Sequence, residues 1–257
     1  MKLEDLFDNV EIEINTECNR QCSYCPNSVN GNMRKKSMKK EVFERIIDEL
    51  CSLSFTGRIS YHFYNEPLLC ENVVLFISQV KEKLPKCKQV LYSNGDKLDE
   101  KLFLKLLDSG VDLFVITNHN NLKELELHPF HKVNASLSEE HKKHVVYLTV
   151  QDLNLTNRGG LLSDLGTNNK TNVPCYIMKS LIVIDVDGNI VCCFEDYYKK
   201  MIAGNIRESS LLDIWNEKNY VKLREDVSLG KRFVSDICKN CNNYTMVEAA
   251  TEYDYIL

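Results

Sequence analysis

Three cysteines, Cys18, Cys22 and Cys25, follow directly on the first strand-like run of this 257-residue chain, and no other feature restricts its fold as much. Val10, Ile12 and Ile14 alternate with polar residues at the period of a strand. The loop 15–30 carries the three thiols at the spacing CxxxCxxC, and Val42, Phe43, Ile46, Ile47 and Leu50 recur behind it at helical spacing. Strand, cysteine loop and helix make one βα unit. Three more strand-like runs follow at 58–64, 89–93 and 111–117, with helical patterns at 72–83 and 100–109, and 144–149 is a fifth strand candidate. This alternation predicts an α/β fold, a partial (β/α) barrel of about five parallel strands with helices outside. Such folds gather functional groups at the C-terminal ends of their strands. The three cysteines fall at the end of the first.

Residues 154–174 are rich in Asn, Thr and Gly and lose periodicity, which predicts a core module at 1–160 and a second module at 161–257. The second begins with a hairpin, 181–186 and 190–194, around Asp187-Gly188, a favoured tight-turn pair. A helix is expected at 211–224. This part is small for a hydrophobic core of its own, yet it contains Cys175, Cys192, Cys193, Cys238 and Cys241. A metal site supplies such a module with the stability its core lacks.

The bulk numbers exclude other classes. With 37 acidic against 32 basic residues, the net charge of -5 offers no basic surface for nucleic acid or anionic lipid. No run approaches the roughly 20 apolar residues that cross a bilayer, and no export signal precedes the first strand, so a cytoplasmic protein is expected. Eleven cysteines in such a chain read better as metal ligands than as disulfides. Cys51, Cys70 and Cys87 lie on or near helices without ligand spacing and are expected to be structural.

Three thiolates hold three irons of a [4Fe-4S] cube, which normally takes four cysteines, and leave one iron open to chelate an amino and a carboxylate group. A structural zinc site is the alternative at this spacing. Cys175, Cys193, Cys238 and Cys241 make a four-thiol set that suits a closed electron-passing cluster or, again, zinc. Neighbouring strand residues point to opposite faces, so only one of Cys192 and Cys193 should face that site.

With the aromatic Tyr24 just ahead of the third cysteine, the loop resembles that of the radical S-adenosylmethionine (radical SAM) enzymes. The resemblance implies an open [4Fe-4S] cluster on Cys18, Cys22 and Cys25 that cleaves S-adenosylmethionine to a 5'-deoxyadenosyl radical. It also implies cofactor contacts at Tyr24, at the turn of Asn65 and Glu66 after the second strand, and at Ser93 and Asn94 after the third. Asn65 stands where the family usually has glycine, and because Asn tolerates a positive φ better than most residues a similar turn is open to it. The later cysteines resemble the auxiliary-cluster "twitch" module of several such enzymes, which implies a second [4Fe-4S] cluster on Cys175, Cys193, Cys238 and Cys241.

Longer strings narrow the resemblance. Gly57-Arg58-Ile59-Ser60, Tyr92-Ser93-Asn94-Gly95-Asp96, Asn157-Arg158-Gly159-Gly160, Cys193-Phe194-Glu195-Asp196 and Cys238-Lys239-Asn240-Cys241-Asn242-Asn243 are similar to the aminocyclitol-oxidising dehydrogenases of the family, nearly end to end. This implies oxidation of a secondary alcohol to a ketone in aminoglycoside biosynthesis, with the auxiliary cluster accepting an electron. Tyr64, Tyr92, Arg158, Phe194 and Glu195 then line the substrate pocket, with Arg158 and Glu195 catalytic. A reducing protein such as flavodoxin or ferredoxin is the implied partner, and neither nucleic acid nor membrane is. Arg158 is a poor formal base, because guanidinium keeps its proton at neutral pH, and is expected to act by a charge-assisted hydrogen bond. A radical epimerase or dehydratase, with Cys192 as hydrogen donor to the former, and a peptide-modifying enzyme are the alternatives.

Overall fold

The computed structural model describes residues 6–29, 35–167 and 172–243. Eight strands form one sheet: β1 (Asn9–Ile12), β2 (Arg58–Ser60), β3 (Lys88–Ser93), β4 (Leu113–Asn118), β5 (Val145–Thr149), β6 (Leu181–Ile184), β7 (Asn189–Val191) and β8 (Ile202–Asn205). Their order is β5-β4-β3-β2-β1-β6-β7-β8. Strands β1 to β5 are parallel, as expected, and β6 adds parallel to the free side of β1. The hairpin of β6 and β7 and then β8 continue antiparallel, so one sheet runs from the first module into the second.

Period-two alternation gives the sheet two different faces. Val10, Ile12, Ile59, Leu91, Phe114 and Ile116 are buried in the main core, where the helix Lys40–Ser52 brings Val42, Phe43, Ile46, Ile47 and Leu50. Phe43 of that helix stacks on Phe76 of the helix Val73–Lys83 at 4.0 Å between centroids. On the other face Val90, Leu113 and Val115 form a separate small cluster with Tyr92, Val146 and Leu148. The same face of β1 carries Glu11, followed by Glu13 just past the strand end, and that of β2 carries Arg58 and Ser60. A buried face holding two carboxylates and a guanidinium is suited to a polar ligand rather than to core packing.

Some elements differ from the expectations. β2 ends at Ser60 instead of Tyr64, because the Asn65 side chain takes over: it accepts from the Phe63 amide at 2.8 Å and donates to the Tyr61 carbonyl at 3.3 Å. The helix expected over 211–224 is two helices, Leu211–Trp215 and Lys218–Ser228. Glu217 makes the break by capping the second, accepting from the amides of Asn219 and Tyr220. Arg224 then reaches back to the Trp215 carbonyl at 2.8 Å and lies 3.7 Å over its ring. β8, with the sequence Ile-Ala-Gly-Asn, lacks alternation and was not expected. Among the described residues no helix is long and apolar enough to cross a membrane.

Asp99 caps the helix Glu100–Ser109 by accepting from the Leu102 amide at 2.7 Å. Asp99→Ala should lower stability by about 1 kcal/mol, measured as a urea midpoint shift at unchanged iron content.

Candidate active site

The loop after β1 is held down by charge and hydrogen bonds rather than by apolar packing. Arg20 makes a two-point contact to Asp96, through Nε at 2.7 Å and Nη2 at 2.5 Å, and its Nη1 donates to Asn120 at 3.0 Å. Asn19 adds a third bond to Asp96 at 2.8 Å. The loop is thereby tied to the ends of β3 and β4. Arg20 holds the Asp96 carboxyl below its ordinary pKa despite partial burial. Cys18, Cys22 and Cys25 lie on this loop, Cys18 exposed and the other two half-buried. Each of Cys22 and Cys25 acts on Cys18 as a nearby like charge, and partial burial pushes all three thiols up. Asn94 points its amide at the Cys18 sulfur, 3.9 Å away.

The turns after β2 and β3 are joined by Glu66. Its buried carboxylate accepts from the Leu68 amide at 3.0 Å, the Ser93 hydroxyl at 2.8 Å and the Asn94 amide at 2.7 Å. Burial raises its pKa to about 7 although these donors oppose the shift. Glu66 and Ser93 are thus engaged with each other, and their side chains shape the two turns. Asn65 makes its turn without the positive φ that Asn tolerates. Its side chain instead bonds to Asn15 at 2.6 Å, fixing the turn to the start of the cysteine loop. Tyr24 finds a partner that spacing did not indicate, its hydroxyl 2.5 Å from His119 Nδ1. Burial pushes the His119 pKa down to about 4, so the ring is neutral at physiological pH.

The expected substrate residues gather around Arg158. Its Nη1 lies 3.5 Å from Glu195 Oε1, and its guanidinium carbon sits 5.7 Å over the Tyr64 ring. Tyr64 in turn donates to the Phe194 carbonyl at 2.7 Å. Glu195 is 1% exposed, and its Oε1 accepts from Thr156 at 2.9 Å and Asn243 at 2.8 Å. Glu195 Oε2 and Arg158 Nε are buried without a partner in the described structure. Tyr92 stands further along the sheet, where it accepts from Arg58 at 3.1 Å and packs on His62 at 4.3 Å between centroids.

The Asn-Arg-Gly-Gly string owes its form to the last cysteine pair. Asn157 donates to the Asn240 carbonyl at 2.9 Å and its amide donates to Asn242 at 2.8 Å. Gly159 and Gly160 have φ of 64° and 91°, and a Cβ on either would come within 2.8 Å of Ile237 or Asn240. Arg158 itself takes a positive φ of 49°. Its cationic head lies within electrostatic reach of Cys25 in the first group and of Cys241 in the second.

Cys175, Cys193, Cys238 and Cys241 line one cavity with Ile177, Met178, Val227 and Ile237. Arg232 holds its rim, donating to the carbonyls of Cys238 and Cys241 at 3.0 Å each. Burial raises the Cys193 thiol far above its ordinary value and the Cys241 thiol to about 12. Cys192 is buried in the main core and is not in the cavity wall, as expected, but the strand expected over 190–194 ends at Val191, so both cysteines lie past it and the pleat is not what separates them.

Comparison with known proteins places this arrangement. The pattern of the Radical SAM superfamily matches residues 12–135, and that of an iron-sulfur cluster-binding domain, SPASM, matches 175–242. An S-adenosyl-L-methionine-dependent 2-deoxy-scyllo-inosamine dehydrogenase of Niallia circulans is 41% identical over 255 residues, 99% of this chain and 100% of that protein. The chain belongs to the radical SAM superfamily. Among solved structures, BtrN in complex with AdoMet and 2-DOIA superposes with a TM-score of 0.89 at 41% identity, covering 98% of this chain and 99% of that one. BtrN in an open conformation gives 0.75 at 36% identity, with 93% of each chain covered. The more distant anSMEcpe with bound AdoMet shares the fold, with a TM-score of 0.56 at 15% identity over 91% of this chain and 89% of that one.

Radical SAM membership brings S-adenosylmethionine and [4Fe-4S] clusters, and the residues present fit them. Among the described residues no three Cys, His, Asp or Glu side chains close on a single ion, so the fit rests on cavity and donor chemistry. Four thiols lining one cavity, with Ile177, Met178, Val227 and Ile237 beside them and Glu195, Arg232 and Asn243 completing the wall, suit a closed cluster, whose irons would take the place of the protons that burial otherwise retains. Three mutually close thiols on a half-exposed loop beside the ends of β3 and β4 suit an open one.

Proposed function

We propose that this radical SAM enzyme is a dehydrogenase that oxidises a secondary alcohol of an aminocyclitol related to 2-deoxy-scyllo-inosamine to the ketone. The observation that carries the reading is the pairing of half-buried Arg158 with buried Glu195, within electrostatic reach of a thiol of each cysteine group, in a chain similar end to end to the Niallia circulans dehydrogenase. Cys18, Cys22 and Cys25 hold the open cluster, and Cys175, Cys193, Cys238 and Cys241 the closed one. When bound, these groups and S-adenosylmethionine supply a radical that takes the carbinol hydrogen atom and an acceptor for the remaining electron.

The chain's own residues do the rest. Arg158 donates a charge-assisted hydrogen bond to the reacting oxygen and stabilises the negative charge that develops as the hydroxyl proton leaves. Glu195 offers its open Oε2 to a substrate N–H or O–H, or to the water that carries the proton away. Tyr64, Tyr92 and Phe194 wall the ring, and the turns of Tyr24, Asn65, Glu66, Ser93 and Asn94 carry the cofactor. An external low-potential protein of the flavodoxin or ferredoxin class reduces the open cluster.

The purified enzyme, reconstituted anaerobically, should form one ketone and one 5'-deoxyadenosine for each aminocyclitol consumed; absence of ketone from every aminocyclitol tried refutes the reading. Arg158→Lys should lose about 10²- to 10³-fold in turnover although the charge is kept, because the planar fork is lost. Wild-type turnover in both Arg158→Lys and Arg158→Ala would remove Arg158 from the mechanism.

A further inference from the structure

The sheet face turned away from the helices has an apolar wall, with Val90, Val115 and Leu148, and a polar one. The polar wall is Glu11 on β1, Arg58 on β2 and His62 just beyond it. Glu11 is only 7% exposed, yet among the described residues none donates a hydrogen bond to its carboxylate, and His62 Nε2 stands 3.8 Å from its Oε1, beyond hydrogen-bond reach. Arg58 directs Nη1 to Tyr92, and its Nε, like His62 Nδ1, is buried without a partner. Buried carboxylates are ordinarily hydrogen-bonded, because the water they leave has to be replaced. The other buried carboxylates nearby each have one oxygen engaged: Glu13 Oε2 takes Lys199 at 2.6 Å and the Val186 amide at 3.0 Å, and Glu195 Oε1 takes Thr156, Asn243 and the Arg158 guanidinium, while Glu13 Oε1 and Glu195 Oε2 have no partner among the described residues.

We propose that Glu11 is the subsite for the substrate's ammonium group, and that by holding it Glu11 fixes which hydroxyl of the ring lies at Arg158. This rests on the aminocyclitol reading and adds to it the residue that distinguishes an amine from a plain cyclitol. Arg158 lies near enough for its charge to act on both Glu11 and His62. The groups facing Glu11 are Arg58 and His62 from the β2 side and Arg158 from its loop; its neighbours across the ladders, Ser60 and Val183, carry no charge. His62 is neutral, its pKa pushed down to about 3 by burial, and does not compete as a cation. Burial raises the Glu11 carboxyl to about 7 against the pull of Arg58 and Arg158. An ammonium ligand favours the ionised carboxylate, so binding releases a proton below pH about 7, and affinity falls as pH drops through that value.

The test is equilibrium binding to the holoenzyme with S-adenosylmethionine and no reductant, so that nothing turns over. The probes are 2-deoxy-scyllo-inosamine and the cyclitol with hydroxyl in place of its amine. Wild type should prefer the amine. Glu11→Gln should lose about 10²-fold in affinity for the amine and little for the cyclitol, together with the fall in amine affinity from pH 7 to pH 6. Should Glu11→Gln fail to retain iron, Glu11→Asp replaces it, with an expected loss of about tenfold confined to the amine. Unchanged amine preference in the variant that retains iron, or loss of that preference in Glu195→Gln instead, overturns the proposal. A wild type that binds neither probe and forms no ketone overturns the aminocyclitol reading itself.

Discussion

Replacing Cys18, Cys22 and Cys25 together by alanine should leave a folded protein with about half its iron and no 5'-deoxyadenosine formation. Two four-iron clusters give about eight irons per chain in the wild type, and about four should remain. Folding is expected to survive because the loop is fastened by other means. The bonds of Arg20 and Asn19 to Asp96 and that of Asn65 to Asn15 involve no thiol, the three cysteines are exposed or half-buried, and the helix amides that Cys25 accepts from, those of Ser28 and Val29, go to its backbone carbonyl, which alanine keeps. The deoxyadenosine signal should fall to background, since no side chain of the loop replaces an open iron. Full iron in the triple variant, or zinc at the remaining site in protein made with ample iron, contradicts the ligand assignment.

The contrast between the two thiol sets also explains what could be read in the sequence. The βα alternation placed five strands and the cysteine loop because each element carries its own period: Val10, Ile12 and Ile14 at two, Val42 to Leu50 at the helical repeat. The hairpin followed from Asp187-Gly188, and Cys193 without Cys192 lines the cavity as expected, although β7 ends at Val191 before both. What was not legible depends on partners distant in sequence. Tyr24 meets His119, Arg20 meets Asp96, and Glu66 meets Ser93 and Asn94, and no local signal announces such pairs. The role of the Asn65 side chain was illegible for the same reason, because its amide is engaged by Asn15, Tyr61 and Phe63. Glu11 was passed over since a single acidic residue in an alternating strand reads as solvent-facing. Only the sheet order, which covers both sides of β1 with β2 and β6, shows that it is buried.

Cys192 and Cys238 should separate net oxidation from isomerisation. An epimerase returns a hydrogen atom to the substrate radical and needs a donor thiol, whereas a dehydrogenase needs an electron acceptor and no donor. Cys192 is the thiol adjacent to the closed set, but it lies in the apolar core with burial raising its pKa to about 12. Cys238 lines the four-thiol cavity, its amide bonded to Ser235 and its carbonyl to Arg232. Cys192→Ala should therefore leave ketone formation largely intact, at a modest stability cost of the order of 1 kcal/mol for a small side chain lost from a core. Cys238→Ala should abolish ketone formation. Iron content and circular dichroism tell whether it does so by losing the electron acceptor or by unfolding the C-terminal part, because only the second outcome removes helix signal. If Cys192→Ala instead stalls turnover after one event, and solvent deuterium that enters the wild-type product no longer does so, the thiol is a hydrogen donor and the enzyme is an epimerase.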